Sequence, residues 1–345
     1  MTVPARILVV DDSAFMRLAL RRIIERDADL RVVGEAADGL AAIGAAASLR
    51  PDLVVMDLAM PGMDGIEATR RIMALPAPPA VVMVSAHTRQ GSAEALRALE
   101  EGAVDYLWKD SDLGGPDLAR LDSELRPLLR HWAIQRGSLP MAASPPAPSG
   151  PITISKPPEV VVVGASTGGP EALAGFLEGC GPLPLPCVVA QHMPAGLAPE
   201  LAASLGRRLG RAVVVAADGL ALAPGMVALL PGGHDGALVR RPTGLALRLL
   251  ASASPAHPSV DVLFRSAAAV AQGALGVVLT GMGRDGVAGA AAMAARGMPI
   301  LAQSPASCVV GGMPGAVIQA GLASQVAPPR ALGAGVAGLL SSMPR

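Results

Sequence analysis

In the first half of the chain, short apolar runs alternate with stretches whose apolar residues recur every three or four positions. The runs fall at 6–10, 30–34, 52–56, 80–84 and 104–107. Helical patterns lie between them, clearest at 13–26 and 64–75, and a last one spans 116–136. Runs this apolar suit strands buried on both faces. Five strand–helix repeats predict a parallel sheet covered by helices on both sides.

From 137 to 158 both periodicities stop. The stretch 138–151, SLPMAASPPAPSGP, is rich in proline and has no apolar period. It cannot pack a core and predicts an exposed, extended linker, because structureless loops of this length are uncommon inside compact domains. A second pattern starts with a Val-rich strand at 159–163 and continues with strands at 187–190, 212–215, 226–230, 276–279 and near 299–301. Helices are expected at 170–177, 194–209, 260–271, 287–295 and 314–320, and a small hairpin within 237–249. The chain therefore divides into an α/β domain at 1–136, a linker at 137–158 and a second α/β domain at 159–345.

Composition narrows the function. A length of 345 residues accommodates two cores. Zero net charge, few aromatics and the absence of a helix-turn-helix pattern in the second half argue against a DNA-binding regulator, one alternative class; a non-catalytic binding module is the other. Cys180, Cys187 and Cys308 have no metal-ligand spacing and read as reduced thiols of a cytoplasmic protein. No secretory signal is visible, and the longest apolar stretch, 212–231, is broken by Asp218, Gly219, Pro224 and Gly225, so no membrane span is expected.

Candidate chemistry sits where predicted strands end. Asp11 and Asp12 follow the first strand, Asp57 the third, Ser85 the fourth and Lys109 the fifth. Ligands of open parallel sheets gather beyond these carboxyl ends. Three crowded carboxylates call for a hard cation such as Mg²⁺, and Lys109 and Ser85 add a positive charge and a hydroxyl. The set suits phosphoryl transfer to a carboxylate. A lone strand-end Asp more often caps a helix, and it is the five-member set that outweighs this reading.

In the second half, Gly164-Ala-Ser166-Thr-Gly168 follows a strand and opens a helix, the context a G-x-S-x-G nucleophile turn requires. The same turn could bind phosphate. His192 and Asp285, each after another strand, supply a base and a group to orient it. His131, His234 and His257 are weaker bases, and Asp218, Asp235 and Asp261 are rival acids. The order Ser, His, Asp differs from ordinary α/β-hydrolases, where the acid precedes the histidine.

On these residues, 6–136 resembles a response-regulator receiver domain: VVDDSAFMR, DLVVMDLAMPGMDGIEA, VVMVSAH and GAVDYLWKD follow the family's order. The resemblance implies a flavodoxin-like (βα)5 fold and a sensor histidine kinase as phosphoryl donor. It implies Asp57 as acceptor and Mg²⁺ held by Asp11, Asp12, Asp57 and the Ala59 carbonyl. Ser85 and Tyr106 would be the switch pair, with Lys109 beside them. Asp110 stands where proline is usual, and Ala59 replaces a larger residue. Residues 159–327 are similar to the catalytic domain of chemotaxis methylesterases, the CheB family. VVVGASTGGPEAL, VVAQHMPAGLA, ADGLALAPGMV, PGGHDGAL, HPSVDVLFRSAA, VVLTGMGRDGVAG and AQSPASCVVGGMPGAVIQAG carry the likeness. It implies a doubly wound, mostly parallel hydrolase domain with a Ser166–His192–Asp285 triad and oxyanion amides at Thr167 and Met282. No metal is expected for hydrolysis. The implied substrates are glutamate methyl esters, and selected glutamines, of methyl-accepting chemoreceptors. Ser304 and Pro305 depart from the family, which usually has two acidic residues there.

A phosphoryl switch tethered to a hydrolase predicts that the unphosphorylated receiver docks over the Ser166 cleft, since tethering populates even a weak contact. Deleting residues 1–137 is then expected to raise esterase activity above that of the unphosphorylated full chain. An unchanged or lower rate for the shortened chain counts against docking.

Overall fold

The computed structural model describes residues 3–85, 97–98, 101–109, 118–139, 152, 154–193, 196–251 and 257–342. The chain forms two compact units, Met1–Ala142 and Ala143–Arg345. Much of the expected linker, 140–151 and 153, lies outside the described residues, as does most of the segment between the fourth and fifth strands.

The first unit holds five strands: β1 (Ala5–Val10), β2 (Leu30–Ala36), β3 (Leu53–Asp57), β4 (Ala80–Ser85) and β5 (Asp105–Trp108). They pair in the order β2-β1-β3-β4-β5, every pair parallel. Described helices are α1 (Ala14–Ile24), α2 (Gly39–Leu49), α3 (Gly65–Met73) and α4 (Leu118–Gln135). Three begin at a capping side chain that takes up an orphan first-turn amide. Ser13 accepts from Met16, Asp38 from Ala41 and Asp64 from Glu67. The buried strand faces, such as Leu8, Val54, Met56 and Met83, form the core beneath α2 and α3. This is the parallel sheet expected from the five repeats, in the flavodoxin-like architecture that the receiver resemblance implies.

The second unit has a seven-stranded sheet of β6 (Val160–Ala165), β7 (Cys187–Gln191), β8 (Val213–Val215), β9 (Val227–Leu229), β12 (Ala274–Val278), β13 (Ile300–Gln303) and β14 (Ala323–Ala327). The order is β14-β13-β12-β6-β7-β9-β8, again all parallel. The sheet grows outward from β6 in both directions, so β6 marks the topological switch point where ligands bind in open α/β sheets. A separate antiparallel hairpin, β10 (His234–Arg241) with β11 (Gly244–Ala251), contains the expected one. The helices are α5 (Gly169–Cys180), α6 (Ala198–Leu209), α7 (Val260–Val270), α8 (Val287–Ala294), α9 (Gly312–Gln319) and α10 (Pro329–Ser341). The sequence reading did not anticipate β14 and α10. The region is rich in alanine, glycine and proline, which blunts the apolar contrast on which periodicity depends.

Helix α10 packs on α5 at backbone distance. A Cβ on Gly333 would stand 2.1 Å from the Phe176 carbonyl oxygen and 2.7 Å from the Cys180 nitrogen, whereas one on Gly338 would meet nothing within 4 Å. Gly333→Ala is therefore expected to destabilise the larger unit by about 1–3 kcal/mol. Gly338→Ala removes a mid-helix glycine from open space and should stabilise it by about 0.4–1 kcal/mol. Urea unfolding of the two variants beside the parent measures both signs.

Candidate active site

Beyond the ends of β12, β6 and β7 the parallel pairing runs one step further. The Ser166 amide donates to the Thr280 carbonyl at 2.9 Å, and the His192 amide donates to the Ala165 carbonyl at 2.9 Å. Ser166 and His192 therefore lie just past two neighbouring strands, whose backbones run about 5 Å apart. The chain turns sharply after Ser166: its carbonyl accepts from the Gly169 amide at 2.7 Å, and Gly168 adopts φ 74°, which favours glycine. Gly281 makes room for the serine, because a Cβ there would come within 2.6 Å of the Ser166 Cβ. Among the described residues the Ser166 hydroxyl makes no hydrogen bond, and the main-chain amides of Thr167 and Met282 donate to no protein acceptor.

His192 Nε2 lies 2.8 Å from Asp285 Oδ2. Asp285 is surrounded by donors. Its Oδ2 also accepts from the Val260 amide at 2.7 Å, and its Oδ1 accepts from the Asp261 amide at 2.9 Å, the Gly286 amide at 3.0 Å and the Ser259 hydroxyl at 3.2 Å. Val260 and Asp261 open α7, so the carboxylate sits on the positive end of a helix. Burial raises the Asp285 pKa, but the bonds from His192 and these amides outweigh it and hold the group below the ordinary carboxylate value. Reading the sequence missed the Ser259 hydroxyl and the Val260 and Asp261 amides, which lie 24 to 26 positions from Asp285. The N-cap pattern at Ser259, whose hydroxyl accepts from the Val262 amide, was the available signal.

The rival acids are engaged elsewhere. Asp218 accepts from the Leu249 amide, Asp235 from the Ser259 amide and Asp261 from the Gly289 amide. His131 packs edge-on against Trp132 in the smaller unit, and His234 is exposed at the start of β10. His257 offers its carbonyl to the Met193 amide. Ser304 and Pro305 lead into a short 3-10 turn, Pro305–Ser307, with the Ser304 and Ser307 hydroxyls 2.8 Å apart.

In the smaller unit, Asp11, Asp12 and Asp57 bring carboxylate oxygens within 4.8 Å of one another. Lys109 Nζ lies 2.6 Å from Asp11 Oδ2 and 2.7 Å from Asp57 Oδ1. Asp11 and Asp57 are buried, whereas Asp12 faces outward. Burial is the main cause of a raised Asp57 pKa. Lys109 opposes it through charge and hydrogen bond, and the nearby Asp11 charge adds to it. Three carboxylates facing one ammonium leave an excess of negative charge, and this all-oxygen set fits a hard divalent cation. Ser85 is buried at the end of β4 and its carbonyl accepts from the Lys109 amide at 2.8 Å. Tyr106 on β5 packs against the core. Ala59 is exposed after β3, and Asp110 lies outside the described residues.

Comparison with known proteins matches each unit separately. A profile described as response regulator receiver domain covers residues 7–115, and one described as CheB methylesterase covers 161–336. The molecule is a response regulator with a hydrolase-type output domain. The isolated CheB methylesterase catalytic domain of Thermotoga maritima is 34% identical, with a TM-score of 0.51 over 53% of this chain and 100% of that one. Full-length relatives are named protein-glutamate methylesterase/protein-glutamine glutaminase. One from a Nocardioides species is 42% identical over 95% of this chain and 93% of its own length. Another, from Myxococcus xanthus, is 43% identical over 94% of this chain and 95% of its own length. The chain belongs to the CheB methylesterase family.

Both Asp285 oxygens face donors, so an asparagine must turn its NH2 against at least one. Asp285→Asn is expected to cost about 1–3 kcal/mol at neutral pH. Because the folded carboxyl titrates below its unfolded value, its stabilisation is complete above roughly pH 5 and is lost as pH falls toward the folded pKa. Urea unfolding of parent and variant should show a gap that is widest at neutral pH and narrows in acid.

Proposed function

We propose that this protein hydrolyses glutamate methyl esters on methyl-accepting chemoreceptors, and deamidates selected glutamines there, under the control of phosphorylation at Asp57. The observation that carries the reading is the 2.8 Å contact of His192 with Asp285, held beside the strand end that bears Ser166. Asp285 accepts from Nε2–H, which leaves the Nδ1 lone pair as the base. Ser166 Oγ attacks the ester carbonyl while Nδ1 takes its proton. The developing oxyanion is met by the Thr167 and Met282 amides. His192 returns the proton to the leaving methanol, or to ammonia from a glutamine, and an acyl-serine remains. Water, deprotonated by His192, then attacks the acyl carbonyl, and Ser166 departs as its proton returns, leaving a glutamate. Asp285 holds the tautomer and stabilises the imidazolium.

Asp57 is the phosphoryl acceptor in this reading. The carboxylates of Asp11, Asp12 and Asp57 with the Ala59 carbonyl would hold Mg²⁺, which supplies charge neutralisation toward the phosphoryl oxygens. Lys109 contacts two of those carboxylates and provides a second positive charge. Ser85 and Tyr106 are the groups that respond to phosphorylation. A sensor histidine kinase is the donor, and the cytoplasmic part of the receptors is where the substrate lies. Among the described residues, no helix is long and apolar enough to cross a membrane.

Methanol release from methylated receptor membranes tests the reading. Ser166→Ala should lower it by more than about 10⁴-fold while phosphorylation of Asp57 persists. Asp57→Asn should keep basal release and lose its stimulation by a phosphoryl donor. Turnover at the parent rate in Ser166→Ala removes Ser166 as nucleophile.

A further inference from the structure

Gln191 is the last residue of β7 and is 2% exposed. Its side-chain nitrogen, Nε2, donates to two main-chain carbonyls, Ser166 at 2.8 Å and His192 at 3.0 Å. A primary amide carries two N–H groups, so one nitrogen serves both acceptors. These carbonyls belong to the residues assigned above as nucleophile and base, and they come from adjacent strands. The His192 amide already donates to Ala165 across the same gap. In an uninterrupted parallel ladder the next bond would run from the Thr167 amide to the His192 carbonyl. The chain turns away at Ser166, and Gln191 supplies the missing donor instead. Gly169 leaves space for this arrangement, because a Cβ there would fall 1.9 Å from Gln191 Oε1.

We propose that Gln191 is a positioning residue for ester hydrolysis: its amide ties the Ser166 turn to His192 and occupies the His192 carbonyl, so that the Thr167 N–H stays available to the oxyanion. The proposal rests on the Ser166–His192 reading above. Without the amide, two part-buried carbonyls lose a donor, the Ser166 carbonyl keeps only the Gly169 amide, and the His192 carbonyl is free to draw in the Thr167 N–H. Either change loosens the pair or quenches an oxyanion donor, and each slows the chemical step rather than substrate capture.

The test uses the full chain in three parts. In Gln191→Met, which keeps the length and loses both donors, kcat for methanol release from methylated receptor membranes should fall about 10²-fold with KM unchanged. Phosphonylation by a fluorophosphonate probe joins Ser166 Oγ to phosphorus, expels fluoride and sends the serine proton to His192. Its rate should fall in parallel, and its endpoint should stay at that of the parent. A merely structural role would lower the endpoint, by removing folded enzyme, and leave the rate of the remainder alone. Gly169→Ala pushes Gln191 aside and should slow labelling in the same way, yet add nothing in a Gln191→Ala background, where the obstructing side chain is gone. Parent-like kcat and labelling rate in Gln191→Met, a reduced endpoint at parent rate, or full additivity of the two substitutions would each overturn the proposal. Ser166→Ala labels at a different place or not at all: loss of its labelling and turnover upholds the underlying triad, and retention of turnover removes the triad instead.

Discussion

Three parallel strands in register, β12, β6 and β7, determine what can meet at the rim of the larger unit. Val278 pairs with Gly164, and Ala165 pairs with Gln191. Parallel strands need long crossovers, and right-handed ones, so every carboxyl end points the same way. Residues as many as 119 positions apart are thereby delivered to one edge: Ser166 from β6, His192 from β7 and, through the turn after β12, Asp285. A slip of one position in any of the three strands would turn its side chains to the opposite face of the sheet. Packing of valines and alanines in the core thus holds the register on which the polar chemistry depends.

The two rims of the molecule hold carboxylates in opposite circumstances. Asp285 lies on the amino end of α7, among donors only, and stays charged although partly buried. Asp57 shares its surroundings with two other acids and one lysine, and burial works against its charge. In the proposed roles, a carboxylate that orients an imidazole gains from permanence. One proposed to accept a phosphoryl group gains from a local imbalance that a cation and an incoming anion can both relieve. The same α/β architecture produces either outcome by changing which groups face the strand end.

Much of this was legible in the amino-acid sequence, for a physical reason. Strands buried on both faces are written as unbroken apolar runs, and a polar or small residue directly after such a run marks the rim. That is how Asp11, Asp57, Ser166 and His192 stand out. The set Ser166, His192 and Asp285 could be assembled from two such positions and one in the turn after a third strand, and the structure brings the last two within hydrogen-bond distance. What could not be read is contact made by main-chain groups. The amides of Val260 and Asp261 carry no sequence signature of their partner, and the two hydrogen bonds that Gln191 donates to main-chain carbonyls depend on where a turn begins. The strand β14 and helix α10 were missed because alanine and glycine serve helix, strand and turn alike when packed closely.

The glycine-lined seam between α5 and α10 has a consequence for how such an enzyme can be governed. Gly179 and Gly333 let the two helices touch through their backbones, and α5 begins at the turn that carries Ser166. A helix clamped in this way has no slack to slide along its axis, since any axial shift drives carbonyl oxygens into Cα atoms. The proposed nucleophile thus sits at the head of a helix packed closely along its length. Under the proposed function, control through access of the substrate fits this seam better than control by displacing Ser166 along the helix axis.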